Sequence, residues 1–134
     1  MKPLANYPLT LIISAAIIVA SLIPTREFPE TDLELADKYA HTLMYFVLAL
    51  TLWWEHSRKT TSAHSASFII LSVVLPASLG ILLELAQTYL TTYRSGDYLD
   101  ALANALGAII ALPIGLLLTY RRNRKKENHI TKQA

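Results

Sequence analysis

The chain has 134 residues, 53% of them hydrophobic and only 16% charged, where soluble domains carry roughly 25% charged residues. There is no cysteine, which excludes disulfides and thiolate-held metals, and the length allows one domain. The net charge of +2 says little by itself; the placement of the charges says more.

Lys2 precedes a stretch from Pro3 to Thr25 without a charged residue, and its centre, Leu9 to Ile23, is almost wholly apolar. As a helix, such a stretch is long enough for a bilayer core of about 30 Å. A signal peptide is the rival reading, but Val19-Ala20-Ser21 is a marginal cleavage site, so a retained first span is expected. Pro24 and Pro29 break the acidic connection that follows. A second span is predicted from about Leu35 to Trp54, with Trp53 and Trp54 as interface anchors. Glu55 to Ser67 then reads as a polar loop, which makes His56 and His64 solvated surface residues.

Phe68 opens a third apolar run that reaches Leu83 without a charge and continues to about Leu90, with Pro76 inside it. Membrane helices tolerate such a proline better than soluble ones do. A fourth span is predicted from about Asp97 to Tyr120, followed by a basic tail that includes His129. No apolar run shows the sustained alternation of a strand. The expectation is therefore an all-α integral membrane bundle of four transmembrane helices in one domain, residues 1–120, with spans at about 5–24, 35–54, 66–90 and 97–120 and a basic cytoplasmic tail at 121–134.

Placing both termini in the cytoplasm gathers Lys2, Arg58, Lys59 and the whole tail on that side, as the positive-inside bias requires. The tail then lies against anionic headgroups rather than nucleic acid, since no folded basic face accompanies it. The same orientation brings the start of span two, the end of span three and the start of span four to the outer side. Those places hold Asp37, Lys38, His41, Tyr45, Glu84, Gln87, Arg94, Asp97, Asp100 and Asn104. Asp37, His41 and Tyr45 are four residues apart and share one helix face. Asp97, Asp100, Asn104, Gly107 and Ala111 form a second stripe.

Ionisable groups at membrane depth are costly unless they meet partners, and by default they mark function. His41 with Glu84, Asp97 or Asp100 offers nitrogen and oxygen ligands to a divalent metal, although no HExxH pattern is present. His41 beside Asp37 is also a candidate general base. Arg94 and Lys38 suit a phosphate or carboxylate, with the arginine offering a bidentate fork. Gln87 and Asn104 are candidate supporting donors, and Tyr45 a substrate contact. The bland alternative is a structural network that only fixes helix register. A proton-coupled transporter is a third reading, disfavoured because four short helices enclose little pathway without oligomerisation. Ala103, Gly107, Ala111 and Gly115 form a close-packing face, used within the bundle or in a homo-oligomer.

Asp37-Lys38-x-x-His41-x-x-x-Tyr45-Phe46 resembles the first signature of VanZ-like membrane proteins. Glu84-x-x-Gln87, followed by Arg94, Ser95, Asp97, Asp100, Asn104 and Gly107, is similar to the second. The resemblance covers about residues 35 to 110, and the usual proline before the arginine is missing here. It implies a small multi-pass bacterial protein of the cell membrane, in a family named for low-level resistance to the glycopeptide teicoplanin. It hands over no catalytic residue with an assigned role and no cofactor. Taken with the topology, it leads to the expectation of an outer-leaflet site that binds or modifies an anionic cell-envelope component, such as a lipid-linked precursor.

Overall fold

A computed structural model describes residues 6–23, 33–59, 65–92 and 96–131. Among them the chain is all-helical, with α1 Pro8–Leu22, α2 Leu33–Lys59, α3 Ala66–Leu90 and α4 Tyr98–Thr131. Each start has a local cause. Pro8 occupies the first turn of α1, where its missing N–H costs nothing. Ser65 caps α3 by accepting from Phe68 N at 3.3 Å, and Asp97 caps α4 by accepting from Leu99 N at 2.9 Å.

Two boundaries differ from expectation. Residues 55–59, expected in a loop, continue α2, because Glu55 and Ser57 turn inward and find partners there. The expected solvated tail is helical as far as Thr131, since nothing after Tyr120 breaks the helix and Arg and Lys are good helix formers. Pro76 and Pro113 lie inside helices that run through them.

Side-chain pairings set the directions. Thr42 meets Gly107, Trp53 meets Gly115, and Ser57 meets Arg122, so α2 and α4 run parallel. This is the most extensive pairing in the bundle. Phe68 lies on Trp53 and His56, and Glu84 reaches Asp97, so α3 runs antiparallel to both. Glu55 meets Leu9 and Thr10, and Gln87 meets Ser21, so α1 lies parallel to α3 against α2 and α3. The result is an up-down-up-down bundle in which the start of α1 and the later part of α4 share one end.

The small-residue face of α4 is used inside the bundle. A Cβ added at Gly107 would run into the Thr42 carbonyl oxygen, and one at Gly115 would meet the Trp53 ring 2.6 Å away. Ala108 and Ala111 pack with Ala49 in the same seam. Trp53 is therefore not an interface anchor: it is 1% exposed and packs edge-on to Phe68. Trp54 does face outward, beneath the Arg58 guanidinium.

The outer faces carry Ile12, Leu43, Ile70, Leu82, Leu102 and other large apolar side chains, while the buried interior holds many polar ones. α3 and α4 are long and apolar enough to cross a membrane. α1, with 15 residues, is shorter than the ~20 a spanning helix needs, and α2 is more polar, so the expected four spans are supported at two of the four helices.

Candidate functional site

The α2–α4 seam sets the site. Because the two helices start side by side, Asp37, Lys38 and His41 of α2 face Asp97, Asp100 and Asn104 at the start of α4. His41 is 3% exposed, and its Nδ1 lies 3.0 Å from Asn104 Oδ1. Asn104 presents a carbonyl oxygen there, so Nδ1 carries the proton and donates. Gly80 of α3 packs directly against the Asn104 side chain and holds it in that pose. The other ring nitrogen, Nε2, points toward carboxylates on both helices, 3.9 Å from Asp37 Oδ1 and 3.9 Å from Asp100 Oδ2.

Lys38 Nζ sits between two further acceptors, 3.4 Å from Asp97 Oδ2 and 3.7 Å from Asp100 Oδ1. Asp97, just ahead of α4, ionises below the usual carboxylate range. The Leu99 amide is the main cause, burial opposes it, and the Lys38 ammonium adds to it. Asp97 and Asp100 thus flank the ammonium while Asp37 and Asp100 flank the imidazole, and Asp100 and His41 are buried.

Asp37, His41 and Asp100 each offer one ligand atom, and these three atoms lie within 4.8 Å of one another. One nitrogen and two carboxylate oxygens suit zinc or manganese. A protonated Nδ1 held by the Asn104 oxygen leaves Nε2 as the ligand, the usual arrangement at metal sites. The same geometry also suits an imidazolium paired with both carboxylates.

The remaining expected residues disperse. Glu84 Oε2 accepts from the backbone N–H of Asp97 at 2.9 Å, which ties the end of α3 to the start of α4. Gln87 is fully buried and donates to the Ser21 carbonyl of α1 at 2.8 Å. Tyr45 is buried in a cluster with Ile17, Leu48 and Leu83, and its hydroxyl has no hydrogen-bond partner among the described residues. Arg94 and Ser95, like His64, lie outside the described residues, as does the side chain of His129.

Two residues expected in a loop lie in α2 and have specific partners. Glu55, 4% exposed, accepts from Leu9 N and Thr10 N at 3.0 Å and from Thr10 Oγ1 at 2.7 Å, which closes the start of α1. Burial works to raise its pKa, but the Thr10 hydroxyl, the two amides and Lys59 together bring it below the ordinary value. His56 is not a solvated surface residue: it stacks on Phe68 with ring centroids 3.5 Å apart, and its Nδ1 lies 2.9 Å from the Tyr7 hydroxyl. The signal that could have found them is the helical register of Leu48, Leu52 and His56, which carries the α2 face past Trp54.

The sequence matches no established family profile, and no solved structure matches it. It is 32% identical over 124 residues to an uncharacterized protein of Schizosaccharomyces pombe, C11E3.10, an alignment that covers 92% of this chain and 68% of the yeast protein. The bacterial setting implied by the VanZ resemblance finds no support in this relative. The chain belongs to the family of this uncharacterized yeast protein.

Proposed function

We propose that this chain is a multi-pass membrane protein of the VanZ-like kind, with four spans and both termini cytoplasmic. Its outer polar site binds or modifies an anionic, lipid-linked component of the membrane or envelope. The observation that carries the reading is the convergence of Asp37, His41 and Asp100 at one end of the α2–α4 seam, within 4.8 Å of one another. Such a set, inside a bundle whose outer faces are apolar, is best explained by a ligand. Asp37, His41 and Asp100 would hold a divalent cation, which would supply Lewis-acid polarisation of a phosphate. Lys38 is engaged by Asp97 and Asp100 and balances their charge. The anion grip assigned to Lys38 and Arg94 together therefore falls mainly to Arg94. The yeast relative favours a lipid headgroup common to different kinds of membrane over teicoplanin as the shared ligand, and an effect on teicoplanin susceptibility would be secondary.

The test is the metal content of detergent-purified protein, wild type against His41→Ala, together with thermal stability. Stoichiometric metal that vanishes in the variant, at normal abundance, is the expected result. Metal-free wild type, with a variant that is merely less stable, would sink the reading. A second reading is a scaffold whose polar residues only lock helices, and the His41–Asn104 and Lys38–Asp97 contacts favour it. That reading requires His41→Ala and Asp100→Ala to lower abundance and phenotype together.

A further inference from the structure

At the opposite end of the bundle, α1, α2 and α3 enclose a cavity of ≈ 460 Å³ that the polar site does not touch. Its body is hydrocarbon, with Leu11 from α1, Leu48 and Leu52 from α2, and Leu71, Leu75 and Leu79 from α3. One end is different in kind: Tyr7, Thr10, His56 and Lys59 gather there. The cavity lining on α3 runs from Phe68 to Leu79, about 16 Å at 1.5 Å per residue. That is close to one leaflet, half of a hydrocarbon core about 30 Å thick. A long, narrow apolar slot with a cationic end selects for shape and charge together.

The polar end is arranged to receive an anion. Lys59 Nζ stands 4.5 Å over the Tyr7 ring, which fixes the ammonium at the mouth. The Tyr7 hydroxyl and His56 Nδ1 share a hydrogen bond of 2.9 Å, which holds the imidazole at the same end as Lys59. The nearby acid, Glu55, has its oxygens directed at the first turn of α1.

We infer that this slot is a binding site for one acyl chain bearing an anionic headgroup, with the chain between α1, α2 and α3 and the headgroup at Lys59 and His56. The site lies apart from the Asp37–His41–Asp100 cluster and does not depend on what that cluster does. The ligand source is either a free fatty acid or one chain of an anionic phospholipid.

The experiment is native mass spectrometry of the intact chain released from detergent, with oleate, oleyl alcohol or phosphatidylglycerol added in turn. One oleate or one phosphatidylglycerol retained per chain is expected, with oleyl alcohol retained at least tenfold less; which anion is retained identifies the source. Lys59→Gln, at the rim, should remove the preference for the anion while leaving helix content unchanged. Ser14→Trp, which fills the slot from α1, should abolish retention of all three probes. Equal retention of oleate and oleyl alcohol by the wild type overturns the proposal, as does a variable number of adducts. So does unchanged anion preference in folded Lys59→Gln.

Discussion

The two ends of the bundle use the same residue types to different effect. At the α1 end, Glu55 is buried and two amides and a hydroxyl close on its carboxylate. At the other end, Asp100 is buried between Lys38 and His41, while Asp37 and Asp97 approach the same two groups from partly exposed positions. A buried carboxylate matched to its donors is a fastener. A buried carboxylate set between a lysine and a histidine, as Asp100 is, belongs to a charge cluster whose desolvation the surrounding packing must offset.

The largest test of that contrast is Gly107→Leu. A side chain there meets the Thr42 carbonyl and drives α2 from α4, and overpacking of this kind costs ~3 kcal/mol. The unfolding midpoint should drop, and metal binding should be lost with it; a stable, metal-binding variant would mean the seam does not build the site.

Next comes Glu55→Ala, which leaves the first turn of α1 without its acceptor at a cost of about 2 kcal/mol for charge-assisted bonds. Hydrogen exchange at Leu9 and Thr10 should accelerate while metal affinity at the far end stays as it was. The pH dependence has a fixed sign. Because Glu55 ionises below its ordinary 4.5 when folded, its contribution is full at neutral pH and fades as pH falls through 4.5 toward the folded value. Glu55→Gln should remove that acid-dependent loosening of α1, and an unchanged acid transition in this variant would refute the assignment.

Asn104→Ala sharpens the comparison from the other side. Removing the oxygen that orients the His41 ring should lower metal affinity roughly tenfold to a hundredfold, measured by competition with a chelator. The smallest effect belongs to Arg58→Ala, which gives up an exposed contact over Trp54 worth about 0.5–1 kcal/mol. A larger loss would mean that this outward face is covered by something.

How much of this was readable beforehand depended on sequence distance. α3, expected as a span at about 66–90, is Ala66–Leu90, because an unbroken apolar run is a local signal. The α4 stripe of Asp97, Asp100, Asn104, Gly107 and Ala111 was also legible from spacing, and all of it except the partly exposed Asp97 is buried. Glu55 and His56 were not, because their partners Thr10 and Tyr7 lie 45 and 49 residues away, and a polar run after two tryptophans looks like a loop. Glu84 and Gln87 were placed in the right zone, but periodicity could not say that one would hold the Asp97 amide and the other the Ser21 carbonyl.

The Glu55 and Gln87 contacts give α1 a property of its own. Glu55 grips the helix at Leu9 and Thr10, and Gln87 grips its last turn at Ser21, so the element is pinned at both tips. A helix held that way acts as a gauge. One inserted residue would advance the far tip by about 1.5 Å and turn it by about 100°, so both grips could no longer close at once. Point substitutions along the outward face of α1 leave both grips intact; its length is the quantity the bundle measures.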